Sequence, residues 1–378
     1  MVAAAKREAS LLSARRAGVV AAVFSVGVFV VQGCRDTTGA AGTTQGLSPP
    51  PSLAKCTEYS HIDATSCGPG SANFTTHVWS MAFSPSGGQL ATAGEDGIIK
   101  IWKMRGAVPT KTSMLSAVGQ AFVAYSPDGK LFAEGSNGGD LELYDASTFT
   151  LVAKLDGHPD DIKSIGFTGD SQHLWVLDVN GRLTRHDVGG STTPAVTLEM
   201  GVHGLALAVS PVATPTSQWV AVGFDNGVGN IVDLGAPTPP VTTNITVTAD
   251  GLAVSMMSFS PDGATLVAGG SDGIVGFWTI PPPTDGARSS GTISLPDSHG
   301  VPLWVTGVEY SPDGKSLLIS AGYPDSEWKL AIWDPVTRTQ RASIVPTHEP
   351  FTVAWAPSQG IIAAGEGTCG QIIVCSDD

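Results

Sequence analysis

The sequence predicts an all-β chain: a seven-bladed β-propeller of four-stranded antiparallel blades, closed by N- and C-terminal segments that share one blade. Three observations predict it. A strand–turn–strand phrase returns seven times, its spacing is that of one blade, and glycine-centred dipeptides supply the hairpin turns.

The phrase is an apolar strand ending in Ser-Pro, a Gly turn, a second apolar strand, a Gly-centred turn and a strand ending in an aromatic or apolar residue. Its clearest copies span residues 78–103, 121–145 and 256–279. The corner falls at Ser84, Ser126, a degenerate Thr168, Ser210, Ser260, Ser311 and Ala356, at intervals of 42, 42, 42, 50, 51 and 45 residues. A four-stranded blade takes about 40–45. The two long intervals hold insertions, Pro-rich at 237–240 and another at 281–300. A unit that cannot bury its own apolar face must stack on its neighbours, so seven copies make a ring. Strands such as 78–83 and 266–270 are apolar and short, and no long helical period follows residue 35. Asp96-Gly97, Asn180-Gly181, Asn226-Gly227 and Asp272-Gly273 supply the positive φ of tight hairpins.

Residues 1–33 read as a signal peptide. Lys6, Arg7, Arg15 and Arg16 precede an uncharged, mostly apolar run at 17–31. That run is short for a membrane span of about 20 residues and matches the core of a signal peptide. Val31-Gln32-Gly33-Cys34 resembles the end of a bacterial lipoprotein signal, which implies that Cys34 receives the lipid and becomes the new N-terminus. An ordinary cleaved signal and an uncleaved anchor are the alternatives. Arg15-Arg16 is also a feature of twin-arginine export. Residues 34–52, small, polar and Pro-rich, read as a flexible tether. The propeller is assigned to 53–378.

On the phrase and its corners, residues 53–378 resemble the WD-repeat β-propellers. The matching motifs are Ser-Pro-Asp-Gly at 126–129, 260–263 and 311–314, Gly157-His158, and the strand-end Trp102, Trp278 and Trp333, the last as Trp333-Asp334. The resemblance implies a hydrogen-bonded set of histidine, turn aspartate, strand Ser or Thr, and strand-end Trp. By sequence no blade keeps it whole. Blade three has His158 but Asn180 at the turn and His186 in the Trp place; blades one and five have Asp96 with Trp102 and Asp272 with Trp278 but weaker histidine matches.

Cys34 aside, the cysteines are Cys56, Cys67, Cys369 and Cys375. Cys369 lies in the last blade's turn and Cys375 at the end of its third strand, on the order of 20 Å apart at about 3.3 Å per residue, too far for a disulfide. The chain ends on that third strand, so a segment before blade one, near 53–60, is expected to supply the fourth. Antiparallel pairing then expects Cys56–Cys375 and Cys67–Cys369. A local Cys56–Cys67 bridge with two free thiols is the alternative. Either fits an oxidising compartment.

The formal charge is −14, and loss of the four leader cations and Glu8 takes it to −17. Such a surface repels phosphate backbones, so nucleic acid is not expected as a partner, and the membrane is expected to be met only through the N-terminal lipid. Residues 269–273 match a serine-hydrolase elbow, Gly-x-Ser-x-Gly, but fall on a hairpin where that motif needs a strand-to-helix turn. No P-loop, His-Glu-x-x-His, Cys-x-x-Cys or EF-hand pattern occurs. No catalytic residue, metal or cofactor is expected.

His77, His158, His203, His299 and His348 each precede an inner strand and are expected to gather on one face of the ring. Whole-blade spacing is not metal-ligand spacing, so each is read as bonded within its own blade. Trp79 and Trp304 begin inner strands on that same face, and Glu95 stands in a turn there. Packing between blades is the plainer reading for most of the nine tryptophans; exposed ones would be interface anchors. The expected function is therefore a non-catalytic, exported, lipid-anchored scaffold that binds a protein or peptide on this face. The alternatives are a propeller enzyme or ligand binder, of the lactonase or sugar-binding kind, with a metal or small molecule in the central channel, and a permanent structural part of an envelope complex. The channel alternative needs polar inner strands, whereas these show Met81, Phe83, Val123, Ile165, Met257, Val308 and Val353, with Glu309 the main acid.

Overall fold

A computed structural model describes residue 53 and residues 55–61, 77–117, 119–212, 218–234, 241–282, 287–323, 327–346, 348–357, 360–367 and 370–376. It contains seven four-stranded antiparallel sheets. Blade one is Val78–Phe83, Gln89–Gly94, Ile98–Arg105 and Val108–Ser116, from inner to outer strand. The inner strands of the next five blades are Ala121–Tyr125, Ile162–Phe167, Gly204–Val209, Val254–Phe259 and Trp304–Tyr310. Blade seven takes Pro350–Trp355, Ile362–Glu366 and Gln371–Ser376 from the C-terminus and its outer strand, Lys55–Ser60, from the other end of the chain. The two chain ends thus close the ring in one sheet, which leaves no gap between first and last blades.

The corner motif recurs because one hydroxyl does two things. Ser126 Oγ donates to Asp128 Oδ1 at 2.7 Å and accepts from the Leu131 N–H at 2.9 Å. Ser260 and Ser311 repeat the arrangement with Asp262 and Asp313. Thr168, degenerate by sequence, does the same with Asp170 and the His173 N–H. Satisfying the turn's backbone locally frees the flanking strands to commit their apolar faces to neighbouring blades.

Those faces form the core. Met81, Leu90 and Trp102 of blade one pack with residues of blades six and seven, while Ala91, Ile99 and Ile101 on its other side pack against Tyr125, Phe132 and Tyr144 of blade two. The apolar inner-strand residues Met81, Phe83, Val123, Ile165, Met257, Val308 and Val353 all belong to these buried clusters. Blades are also locked turn to connection. Gly139, at φ +82°, leaves 1.8 Å between an added Cβ and the His158 carbonyl oxygen, so only a glycine lets this turn of blade two meet the entry to blade three.

Candidate functional site: the histidine face

The register of Lys55–Ser60 against Gln371–Ser376 sets Cys56 opposite Cys375, with Cα atoms 4.1 Å apart and a disulfide between them. Cys34, Cys67 and Cys369 lie outside the described residues.

The same strand delivers a residue that sequence reading missed. His61 follows it directly, and its Nδ1 lies 2.7 Å from Thr92 Oγ1, which accepts the indole N–H of Trp102 at 2.8 Å. His61 Nε2 faces Asp96 Oδ1 at 3.7 Å, within ion-pair reach though longer than a hydrogen bond. The reading that no blade keeps the four-residue set is therefore corrected: blade one assembles it, with a histidine carried over from blade seven. Burial lowers the His61 pKa, with the Asp96 contact opposing; burial pushes the Asp96 carboxyl up, but the nearby His61 and the Ile98 N–H hold it below its ordinary value. His77 was the closer match to the expected spacing because fifteen residues, 62–76, separate His61 from it.

His77 makes a different contact, with Glu95 Oε2 at 2.9 Å, across one end of blade one. The pattern repeats: His203 lies 3.4 Å from Asp225 and His348 3.4 Å from Glu366. His299 meets its neighbours Asp297 and Ser298 instead. Each histidine precedes an inner strand and each blade-spanning partner ends or follows a second strand, so topology brings them to one face. In blade three His158 and His186 share one proton-bearing contact, Nε2 to Nε2 at 2.8 Å. Burial, then the neighbouring His186 and Arg182, pushes His158 down to about 4. His186 stands in the Trp place of that blade and Val176 in the hydroxyl place, so the two rings bond directly. Blade five has no histidine at all: the Ala249 N–H, opening a short 3-10 turn, donates to Asp272 Oδ2 at 3.0 Å.

Trp79 is 7% exposed and stacks with His77 and Phe351, ring centroids 5.0 and 5.3 Å away, at the seam of blades one and seven. Trp304 is half-buried and meets Tyr323 edge-on at 4.8 Å. Among the described residues no group of three His, Cys, Asp or Glu is placed to hold a metal ion. Glu309, the inner-strand acid, does not serve a channel. Its Oε2 accepts the Trp355 backbone N–H at 3.1 Å and its carbonyl accepts the Trp355 indole N–H, stitching blade six to blade seven. Burial holds that carboxyl well above the usual range, with the Trp355 N–H opposing. Ser80 to Val123, Ser255 to Val305 and Thr306 to Pro350 use other inner-strand hydroxyls the same way. Ser271, in the elbow-like sequence, sits in the turn between Thr265–Gly270 and Ile274–Thr279 with no helix following.

The fold and these bonded sets define a seven-bladed β-propeller, two of whose blades are similar to the WD repeat. The family described as WD domain, G-beta repeat, matches residues 70–103 and 243–279, which cover the two inner strands and all or most of the third in blades one and five, those with the Asp–Trp pairs. The protein groucho of Drosophila melanogaster is 22% identical over 208 residues, 54% of this chain and 27% of that protein, so the match spans about a quarter of its length. The β-propeller domain of Cps50 (Swd1) from Myceliophteria thermophila superposes with a TM-score of 0.64 at 15% identity, over 79% of this chain and 97% of that domain. That likeness shows the fold.

Proposed function

We propose that this protein is a non-catalytic scaffold that binds a protein or peptide segment on the histidine face, and that it is exported and held at the cell envelope by a lipid on Cys34. The observation that carries the reading is how the ring spends its polar groups. Inner-strand hydroxyls and Glu309 bond between blades, whereas histidines, carboxylates and the half-buried Trp304 and Tyr323 stand at the turns of one face. Half-buried aromatics beside polar groups are the usual anchors of protein interfaces. The family match and the propeller relatives agree with a binding scaffold. Its test is co-purification from solubilised native membranes. A stoichiometric partner retained by the wild type and by Val336→Ala, on the opposite face, but lost from Trp304→Ala/Tyr323→Ala supports the reading; a partner retained by all three, or turnover of a small molecule, contradicts it.

A further inference from the structure

The two faces of the ring differ sharply in charge. The histidine face is made of the connections from each outer strand to the next inner strand and the turns between second and third strands. The described residues of these segments, 61, 77, 95–97, 117, 119–120, 137–140, 156–161, 179–181, 200–203, 225–227, 247–253, 271–273, 295–303, 323, 327, 345–346, 348–349, 367 and 370, contain 12 Asp and Glu and no Lys or Arg. Their only basic residues are six histidines. The described residues of the connections on the opposite face contain 5 Asp and Glu and 4 Lys and Arg. Chance does not explain so complete an exclusion, because 15 Lys and Arg lie elsewhere between residues 53 and 378.

Aromatic rings interrupt the acidic field. Trp304 and Trp328 both stand opposite Gly322 in the register of blade six, and a Cβ on Gly322 would lie 1.6 Å from the Trp328 ring, so the indole lies across the glycine. Trp304, Tyr323 and Trp328 are all half-buried here, with Glu327 exposed beside them. At the next seam, the indole N–H of Trp79 is buried without an acceptor, close to Glu349 and Glu95 through His77 and Phe351. An unpaired buried donor of this kind costs about 1–3 kcal/mol, which an incoming carbonyl would relieve.

We infer that the histidine face, from blade six across blade seven to blade one, takes a lysine- and arginine-bearing segment of a partner protein; this rests on the scaffold reading above. Carboxylates on segments that carry no Lys or Arg of their own attract such a segment over long range and pair with guanidinium or ammonium groups at contact. Half-buried indole and phenol faces accept the same cations, and the Trp79 N–H offers one donor to the peptide backbone. A phosphate-bearing partner is repelled by the same field.

Fluorescence anisotropy of a short labelled Lys/Arg-rich peptide on the full mature protein tests this, with a Glu-rich peptide as control. Two triple variants are compared after thermal melts show both folded: Glu95→Gln/Glu327→Gln/Glu349→Gln on the histidine face and Asp128→Asn/Asp170→Asn/Asp313→Asn on the other. Both remove the same net charge. Binding weakened roughly tenfold by the first set, about 1.4 kcal/mol, and unchanged by the second supports the inference. No binding, or equal loss in both sets, overturns it. If the peptide fails while co-purification still depends on Trp304 and Tyr323, the scaffold reading stands and the cationic segment falls.

Discussion

His61 Nδ1 lies 2.7 Å from Thr92 Oγ1 across the joint between the outer strand of blade seven and the second strand of blade one, 31 residues along the chain. Closure of the ring and the polar core of blade one are therefore one structure. Thr92→Val removes the hydroxyl that holds both His61 and the Trp102 indole, leaving two buried polar groups unpaired. The expected cost is about 2–4 kcal/mol, read by urea denaturation. A change below about 0.5 kcal/mol, the scale of a neutral surface substitution, would show that the bonded set contributes nothing net.

The Cys56–Cys375 disulfide adds a covalent closure across a sequence separation of 319 residues. The chain-entropy treatment gives an upper value of roughly 6 kcal/mol for a loop of that size. Cys56→Ser/Cys375→Ser should lose about 2–5 kcal/mol. Peptide mapping without reductant should recover the 56–375 link, and a 56–67 link in its place would sink this arrangement.

Seven corners, three clear Ser-Pro-Asp-Gly turns and the shared blade were legible because they depend on local chemistry and strand counting. A hydroxyl two residues before an aspartate makes the same turn wherever it occurs, which is why even Thr168 obeys it. His61 was not legible. Its role follows from where Lys55–Ser60 docks, and residues 62–76 displace it from the spacing that marks such histidines. The contacts of Trp79 and Glu309 were not legible for a related reason: position on an inner strand does not say whether a side chain faces the channel or the next blade, and both meet the next blade.

Acid should destabilise the fold through its buried imidazoles. His61, His158 and His186 are all lowered from their ordinary value of 6.5, chiefly by burial, His158 to about 4. The unfolded chain binds more protons in that range, so stability is present above pH 6.5 and is lost as pH falls towards 4. His158→Leu/His186→Phe should flatten this slope in melts taken across the range. An unchanged slope would place the acid sensitivity elsewhere.

Base should act in the opposite direction through Glu134, pushed up to about 8 first by burial and then, in part, by Glu142 and Asp140. The folded state binds the extra proton, so stability is fully present below pH 4.5 and declines as pH rises through 8. Glu134→Gln should gain roughly 2–4 kcal/mol over wild type at alkaline pH and little in mild acid. Equal effects at both ends would rule out ionisation as the cause.

Gly139→Ala should cost at least about 2 kcal/mol, because it puts a Cβ at a positive φ and 1.8 Å from the fixed His158 carbonyl oxygen. Gly106→Ala, with a positive φ but nothing within 4 Å, isolates the conformational part of that cost. Similar losses at both positions would contradict the close turn-to-connection contact between blades two and three.

Photo-crosslinking in native cells tests the central claim, a partner held on the histidine face, most directly. A photoreactive residue is placed singly at Glu95, Glu327 and Glu349 on that face and at Lys130, Asp313 and Val336 on the other. The account predicts one adduct of constant mass from the first three positions and none from the second three. Adducts only from the second set, or from neither, would contradict it.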